Sequence, residues 1–434
     1  MGESIMRLFT QIVLAIAATV AGACSVNPVT GDRELSFMSP AQEVAIGEEN
    51  YGPYQQQQGG RYQVDPEVSL YVNQVGQKLA QVSDRKNLPY EFVVLNNSVP
   101  NAWALPGGKI AVNRGLLTLL EDEAQLAAVL GHEIVHAAAR HTAQQMTRGT
   151  LLGLGAQIAG IATMDSDYGQ LVGLGTQLGA GAWQAHYSRD NELEADKYGV
   201  KYMVEAGYNP QGAVELQKTF VRLAEEGGQS GWLEALFASH PPSQERVERN
   251  KALAQQYGTT GERGKQDYQN AIAQIKEDAE AYEAHVKAEA ALREGDAEAA
   301  LKFANKAIAL QPKEALFYNA KGQALLAQKQ DEKALQAFEE ATQRNPEYFM
   351  GHLGQGLIRK KLGDYDQAQK QLQRSVELLP TQIGVFHLGA LAQRSGNRDK
   401  AVQFYQYAAQ GGGEMGQEAQ KRLSQLAPQP QPVR

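Results

Sequence analysis

Two histidines and a glutamate have the types and spacing needed to hold a metal ion and hydrolyse a bond beside it. They lie in the segment GHEIVH, as His132, Glu133 and His136. On a helix, residues four positions apart share one face, so both imidazoles can bind one ion while Glu133 lies next to it. Zinc accepts neutral imidazole ligands, and a carboxylate there can take a proton from water. The motif therefore predicts one Zn²⁺ per chain, metalloprotease chemistry, and Glu133 as the general base.

The residues around this motif predict the helix that it requires. Acidic residues in a first turn favour the helix dipole, and an apolar stripe at helical spacing faces a core. The acidic residues are Glu121, Asp122 and Glu123, and the stripe consists of Leu126, Val129, Leu130, Ile134 and Val135. We therefore expect a core helix that carries both histidines.

A third ligand must come from outside this helix. The metzincin pattern would need a histidine at position 142, but the chain has Thr142 there, and His141 lies one place short. Downstream, the segment YSRDNELEADKYG offers the carboxylates of Glu192, Glu194 and Asp196. A helix would place Glu192 and Asp196 on one face, since they are four positions apart. Spacing alone does not decide between Glu192 and Glu194.

Together, HEIVH and the downstream ELEAD resemble the gluzincin metallopeptidases of the HtpX, Oma and CAAX-prenyl-protease type. The resemblance implies that Glu192 is the third zinc ligand. It places Asp196 in the catalytic set with Glu133, as the group that orients a ligand histidine. It leaves Glu194 as an ordinary exposed carboxylate. It also implies a mostly helical α+β peptidase domain with a small sheet.

A second segment, NAWALPGGKIAVNRG, is similar to a hairpin of the same family. Gly107 and Gly108 would form its turn and lead into a strand from Lys109 to Asn113. Such a strand beside the zinc would bind an extended substrate through backbone hydrogen bonds. The residues assigned to this role are Asn101, Lys109, Ile110, Ala111 and Val112. The alternative is a hairpin with only a structural role.

A third segment, FASHPPSQERV, contributes His240 and Arg246. With the repeats described below, it points to the BepA-like branch, the beta-barrel assembly-enhancing proteases of the periplasm. The resemblance implies two alternatives for His240: a fourth zinc ligand that keeps the site latent, or a residue that packs or stabilises a transition state. It implies that Arg246 supports the site. It also implies endoproteolysis of misfolded outer-membrane proteins.

The carboxyl-terminal part has a 34-residue period, marked by Pro312, Pro346 and Pro380. Small residues keep the same phase, namely Ala288, Gly322 and Gly356, and Ala300, Ala334 and Ala368. This period resembles the tetratricopeptide repeat (TPR), in which paired helices cross closely at small residues. A fourth unit, one residue shorter, is followed by a predicted cap from Glu418 to Leu426. The resemblance implies an all-α solenoid that docks client polypeptides or the beta-barrel assembly machinery.

The amino terminus is typical of an exported protein. Arg7 precedes a mostly apolar run from Leu8 to Val20, and small residues then lead into Cys24. The run is shorter than the roughly 20 apolar residues of a spanning helix, which indicates a signal peptide. Cys24 after small residues resembles a lipoprotein signal, so Cys24 is the predicted lipidation site and the mature protein a periplasmic one anchored to the outer membrane. Plain cleavage without lipidation is the alternative.

Composition excludes several classes of protein. The chain has 434 residues, a formal net charge of −8 and one cysteine. The acidic balance argues against nucleic-acid binding, and a single cysteine excludes an intramolecular disulfide. The polar, Gly-rich stretch from Tyr257 to Lys265 predicts a linker. The predicted divisions are a signal peptide (1–23), an N-terminal lipoprotein-type segment (24–60), a metallopeptidase domain (61–260), a TPR domain (266–427) and a disordered tail (428–434).

Three functional hypotheses remain open at this point. The first is an envelope zinc metalloendopeptidase with repeats for partner or client docking. The second is a chaperone or adaptor in which the repeats act and the zinc site is latent. The third is a peptidase whose repeats serve only self-association. The Gly-rich stretch 151–183 is predicted to form a helical hairpin over the cleft, as a lid, a membrane-touching surface or core.

Overall fold

A computed structural model describes residues 24–148, 187–226, 237 and 240–426. The predicted signal peptide (1–23), the Gly-rich stretch (151–183) and the predicted disordered tail (428–434) lie outside the described residues. The described residues fall into two compact units. The first unit consists of the described residues within Met1–Tyr51, Glu67–Val94 and Val99–Ile272. The second unit consists of the described residues within Gly52–Pro66, Leu95–Ser98 and Ala273–Arg434.

The first unit begins with a two-stranded antiparallel ribbon. Strand β1 (Cys24–Val26) pairs with β2 (Arg33–Leu35), with Cys24 opposite Leu35. Helix α1 (Pro40–Gln57) follows, and the hydroxyl of Ser39 accepts a hydrogen bond from the Gln42 amide at 3.3 Å. That contact satisfies an amide that the first turn of a helix leaves unpaired.

A three-stranded sheet follows helix α2 (Pro66–Ala80). Its strands are β3 (Glu91–Leu95), β4 (Ala102–Leu105) and β5 (Lys109–Asn113), in the order β3-β5-β4. β4 and β5 are antiparallel and joined through Pro106–Gly108, where Gly107 has φ +78° and Gly108 φ +85°. These left-handed conformations favour glycine. The predicted hairpin is therefore confirmed.

Residues 141–148 of the first unit are helical, and six further helices complete its described part. They are α3 (Arg114–Leu117), α4 (Glu123–Ala138), α5 (Arg189–Glu205), α6 (Gln211–Glu226), α7 (Gln244–Tyr257) and α8 (Lys265–Ala271). The predicted histidine helix is α4. It begins after Asp122, whose carboxylate accepts from the Gln125 amide at 3.0 Å, and every residue from Ala124 onward is buried.

Close approach of α4 and α5 depends on two glycines. A Cβ added at Gly131 would lie 3.0 Å from the carbonyl oxygen of Gly199. A Cβ added at Gly199 would lie 3.0 Å from the backbone nitrogen of His132. The helix that carries the histidines and the helix that carries Glu192 therefore pack almost backbone to backbone.

The predicted domain boundary differs from the observed one. The stretch from Tyr257 to Lys265 is not a free linker, because Glu262 donates its amide to Gly207 at 2.9 Å and accepts from Asn209 at 3.0 Å. Beyond it, Tyr268 on α8 is fully buried and donates to the carbonyl of Leu117 at 2.6 Å. The first unit therefore extends to Ile272 rather than ending near 260.

Two short segments also group with the repeats: one crosses the start of the predicted peptidase domain, and the other lies inside it. The Gln56 side chain donates to the carbonyl of Glu347 at 2.6 Å and accepts from the amide of Phe349 at 2.9 Å. The Asn96 side chain likewise donates to Glu314 at 2.8 Å. Residues 52–66 and 95–98 belong to the second unit, which the division at 60 and 61 did not predict.

The second unit is otherwise all helix. After α9 (Ala273–Glu277), its helices are α10 (Ala279–Glu294), α11 (Ala297–Leu310), α12 (Ala315–Ala327), α13 (Asp331–Arg344), α14 (Phe349–Leu362), α15 (Tyr365–Leu378), α16 (Gln382–Arg394), α17 (Arg398–Gln410) and α18 (Gly413–Leu426). Pro312, Pro346 and Pro380 each stand just beyond the second helix of a pair.

The small residues of the period lie where the paired helices meet. A Cβ at Gly322 would lie 2.8 Å from the ring of Phe338, and one at Gly356 would lie 2.6 Å from Leu372. Ala300, Ala334 and Ala368 are fully buried. The predicted α+β domain followed by an all-α repeat solenoid is confirmed. Within the part of the chain that the structure describes, none of the helices combines the length and apolarity needed to cross a membrane.

Candidate metal centre

Four buried side chains direct possible ligand atoms at one another. They belong to His132, His136, Glu192 and His240, and their ligand atoms all lie within 4.8 Å of one another. Nε2 of His132 and Nε2 of His136 are 3.0 Å apart. Glu192 Oε1 lies 3.3 Å from His136 Nε2 and 3.1 Å from His240 Nδ1. The structure thus brings the three predicted ligands and the predicted fourth one together.

The donor chemistry of this cluster fits a divalent metal ion. Burial lowers the pKa of His136 well below its ordinary value, so its imidazole is neutral and free to bind through a lone pair. Burial would raise the pKa of Glu192, but the charges of His240 and His132 outweigh it and hold that pKa well below the usual range. The cluster therefore offers imidazole nitrogens and one carboxylate anion, a set that suits borderline metal ions.

Local helix signals set the positions of these ligands. His132 and His136 lie one turn apart on α4, so their rings project from one face. Ser188 caps α5, accepting from the Asn191 amide at 3.2 Å, and Glu192 follows one turn later. His240 precedes α7, which starts after Ser243, whose hydroxyl accepts from the Arg246 amide at 3.2 Å.

A carboxylate and a guanidinium support the ligands from behind. Asp196 Oδ1 lies 3.0 Å from His132 Nδ1, the ring nitrogen that faces away from the cluster. Arg246 donates to Asp196 at 2.6 and 2.7 Å and lies 2.9 Å from Glu192 Oε2. Burial would raise the pKa of Asp196, but the charge of Arg246 outweighs it and lowers that pKa. Asp196 is therefore a carboxylate anion at hydrogen-bond distance from His132.

Glu133 lies beside the cluster with one oxygen uncommitted. Its Oε1 is 3.4 Å from His240 Nε2, while its buried Oε2 has no hydrogen-bond partner among the described residues. Burial raises the pKa of Glu133 above its ordinary value, against the lowering effects of His240 and His132. A carboxylate with a raised pKa and a free oxygen is suited to accept a proton.

Glu194 is not the exposed carboxylate that was predicted. Its side chain is 20% exposed, its Oε1 lies 3.3 Å from His141 Nε2, and it accepts from the Asn27 amide at 3.0 Å. The buried residue facing the ligand cluster is Glu192, 3% exposed. Neighbouring residues of one helix point in different directions, so α5 can direct only one of the two towards His132 and His136.

The assignment of the substrate strand to β5 is wrong. β5 is the central strand of its sheet, and all five of its residues are buried, so both of its backbone edges are already paired. Lys109 forms ion pairs with Glu48 at 2.8 Å and Glu91 at 3.1 Å, and the carbonyl of Ile110 accepts from Tyr51 at 2.8 Å. Ala111 and Val112, which pair with β4, are likewise unable to bind a further strand.

The outer strand β4, which follows Asn101, lies beside the candidate ligands, the position that was predicted for β5. Ala102, its first residue, lines a cavity together with His132 and Glu133. The sequence predicted the hairpin correctly but could not show that β3, which comes earlier in the chain, would cover its second strand.

Two further residues border the cluster and were not predicted. The ring of Tyr187 stacks on His136, with centroids 3.8 Å apart and planes inclined by 19°. Nδ1 of His141 lies 2.9 Å from Nδ1 of His136. The spacing of His141 does not fit the metzincin ligand pattern, and nothing in the sequence distinguishes Tyr187 from any other tyrosine.

Comparison with known proteins agrees with this architecture. The sequence model of peptidase family M48 matches residues 66–254, and that of a tetratricopeptide repeat matches residues 285–349 and 353–414. The beta-barrel assembly-enhancing protease of Escherichia coli K12 is 28% identical over 245 residues, 55% of this chain and 49% of that protein. The chain thus spans about half the length of that relative.

Two other relatives are metallopeptidases by name. Metalloprotease YcaL of Escherichia coli K12 is 30% identical over 195 residues, which make up 42% of this chain and 71% of that protein. The mitochondrial metalloendopeptidase OMA1 of Schizosaccharomyces pombe is 31% identical over 226 residues, 51% of this chain and 63% of that protein.

Proposed function

Because the chain belongs to peptidase family M48, we propose that it is a zinc metalloendopeptidase that cleaves polypeptides. The observation that carries this proposal is the convergence of His132, His136 and Glu192 beside Glu133, whose Oε2 has no hydrogen-bond partner among the residues that the structure describes. His132, His136 and Glu192 would hold one zinc ion per chain. When bound, zinc supplies Lewis acidity that lowers the pKa of water and polarises a carbonyl group.

The contacts of the surrounding residues support a role for each of them. Glu133 accepts a proton at Oε2 and passes it to the nitrogen of the leaving amine. Asp196 keeps His132 in the tautomer with its proton on Nδ1, so that Nε2 has a lone pair for zinc. Arg246 fixes both Asp196 and Glu192 by charge-assisted hydrogen bonds.

His240 supports a second candidate function. Its Nδ1 lies 3.3 Å from His132 Nε2 and 3.1 Å from Glu192 Oε1, the distances expected of a residue able to join the ligand set. A site closed by four protein ligands is typical of structural rather than catalytic zinc. The alternative is therefore a chaperone or adaptor that acts through its repeats while the zinc site stays latent. We favour His240 as a gate that substrate displaces.

The relatives and the repeats support a proposal for the substrates and the location. A beta-barrel assembly-enhancing protease is 28% identical over 245 residues, 55% of this chain. We therefore assign misfolded outer-membrane proteins as substrates. The repeats would dock these clients or the beta-barrel assembly machinery, since helical repeats present extended binding surfaces. Lipidation of Cys24 would attach the periplasmic protein to the outer membrane.

One experiment separates the enzyme from the latent adaptor. Metal content and casein hydrolysis are measured for the wild type and for Glu133→Gln, which keeps the side-chain shape but removes the base. The enzyme hypothesis predicts one zinc in both proteins and hydrolysis by the wild type alone, with a loss of about 100- to 10,000-fold in the variant. Equal hydrolysis by both proteins would rule out Glu133 as the base. Zinc without hydrolysis in both, even with unfolded outer-membrane protein as substrate, would favour the adaptor.

A further inference from the structure

His136 has a partner on the side of its ring that faces away from the ligand cluster. Its Nε2 lies 3.3 Å from Glu192 Oε1 and 3.0 Å from His132 Nε2, so Nε2 is the nitrogen available to a metal. Its Nδ1 lies 2.9 Å from Nδ1 of His141. His141 is 1% exposed, so bulk water does not reach this contact.

The protons of this chain of contacts can be assigned. Two imidazole nitrogens at hydrogen-bond distance share one proton. Since Nε2 of His136 faces the ligands, its ring proton lies on Nδ1, which donates to Nδ1 of His141. The proton of His141 then lies on Nε2, 3.3 Å from Glu194 Oε1. A carboxylate anion only accepts hydrogen bonds, so Glu194 ends this series of hydrogen bonds and every donor in it has an acceptor.

The accepting carboxylate is itself held in place. Asn27 is 1% exposed, and its amide nitrogen donates to Glu194 at 3.0 Å and to Glu34 at 3.1 Å. Its amide oxygen accepts from the backbone of Val29 at 2.9 Å. Because Asn27 directly follows β1, the N-terminal ribbon fixes the position of Glu194.

The backbone before His141 adopts a conformation that is unfavourable for a residue with a side chain. Helix α4 ends at Ala138, and Arg140 then has φ +64°, in the left-handed region that favours glycine. Its guanidinium forms an ion pair with the buried Glu43 and a hydrogen bond with the carbonyl of Met38. Without this break, His141 would follow His136 by five helical positions and would point elsewhere. Strain of this kind persists where the surroundings hold it, and it concentrates at functional sites.

We propose that His141 is a positioning residue for the metal ligand His136 and that Glu194 orients His141. The hydrogen bond from His136 to His141 fixes the ring of His136 and keeps its proton on Nδ1, which leaves Nε2 free for the metal. The carboxylate of Glu194 increases the basicity of the His141 imidazole, and through it that of the metal ligand His136. The proposal rests on the metal centre proposed above.

Two substitutions of similar shape test this role. His141→Asn keeps a hydrogen-bond acceptor, because its amide oxygen occupies the position of the histidine Nδ1. His141→Leu has a methyl group at that position and cannot accept. Zinc affinity of the full chain is measured by competition with a chelator, and the absorption spectrum of the Co²⁺-substituted protein reports the ligand geometry. The control is His285→Gln, which removes a buried histidine of the repeats.

We expect His141→Leu to lower zinc affinity about 10- to 100-fold and to change the Co²⁺ spectrum. His141→Asn should recover most of the affinity and a spectrum close to that of the wild type, and His285→Gln should leave both unchanged. Equal affinities in the wild type and both variants would overturn the proposal, and so would an equal loss in both, which would assign His141 a packing role. A wild type that binds no zinc would instead contradict the proposed metal centre.

Discussion

Arg246 donates two parallel hydrogen bonds to Asp196, from Nε to Oδ2 at 2.6 Å and from Nη2 to Oδ1 at 2.7 Å. Its remaining terminal nitrogen lies 2.9 Å from Glu192 Oε2 and donates to the carbonyl of Pro241 at 3.2 Å. One buried guanidinium therefore contacts a metal-ligand candidate, the carboxylate that lies against His132 and the residue that follows His240. The geometry depends on the planar fork of arginine, which lysine does not have.

Arg246→Lys should therefore weaken zinc binding although the positive charge is kept. We expect zinc affinity to fall about 10- to 100-fold, the range for partners that orient metal ligands. Chelator competition measures the change. Arg249→Lys is the matched control on the same helix, since its side chain is 59% exposed and pairs with Glu245. Equal affinities in the wild type and Arg246→Lys would show that charge alone supports the site.

Glu192→Gln should lower zinc affinity more than Glu194→Gln. Glu192 is 3% exposed and faces both helix histidines, whereas Glu194 reaches His136 only through His141. The first change replaces a charged ligand with a neutral amide, while the second keeps an oxygen that accepts a hydrogen bond. Zinc content after dialysis and chelator competition measure both. A larger loss in Glu194→Gln would exchange the two roles.

The sequence predicted those parts of the site that local geometry determines. The pairing of His132 with His136 depends only on the helical period, so the motif was sufficient. The choice of Glu192 over Glu194 depends on how α5 crosses α4 at Gly131 and Gly199, which spacing does not encode and the family resemblance supplied. The position of His141 depends on a left-handed Arg140, and no sequence pattern predicts that conformation for arginine.

The wrong or shifted predictions concern contacts between distant parts of the chain. The Gly107 turn predicted a hairpin, but the covering of β5 depends on β3, an earlier strand. The stretch around Glu262 has the composition of a linker, yet its backbone pairs with Gly207 and Asn209. Both errors arise because turn residues and composition indicate local backbone preferences. Tertiary packing determines which strands and loops pair with one another.

Zinc binding to the metal-free protein should release about one proton near neutral pH. Burial would lower the pKa of His132, but the charges of Glu192 and Asp196 outweigh it and raise that pKa to about 10. His136 is neutral, because burial lowers its pKa well below the ordinary value. The metal must therefore displace the proton of His132, and affinity should rise with pH towards 10. Calorimetric titrations at one pH in two buffers of different ionisation enthalpy measure the proton count, and identical heats in both would contradict the expectation.

His240→Ala tests whether His240 closes the site or assists the reaction. Nδ1 of His240 lies among the ligand atoms and Nε2 lies 3.4 Å from Glu133 Oε1, so the ring stands between the ligands and the base. Pro241 and Pro242 follow it and restrict the backbone, which suits a preset segment. If His240 is a gate, its removal should raise casein hydrolysis and leave zinc content nearly unchanged, because His132, His136 and Glu192 remain. If His240 instead stabilises the transition state, turnover should fall about 10²- to 10³-fold, as on loss of one oxyanion donor. Slower cleavage by a variant that keeps its zinc would therefore reject the gate and make His240 a catalytic residue.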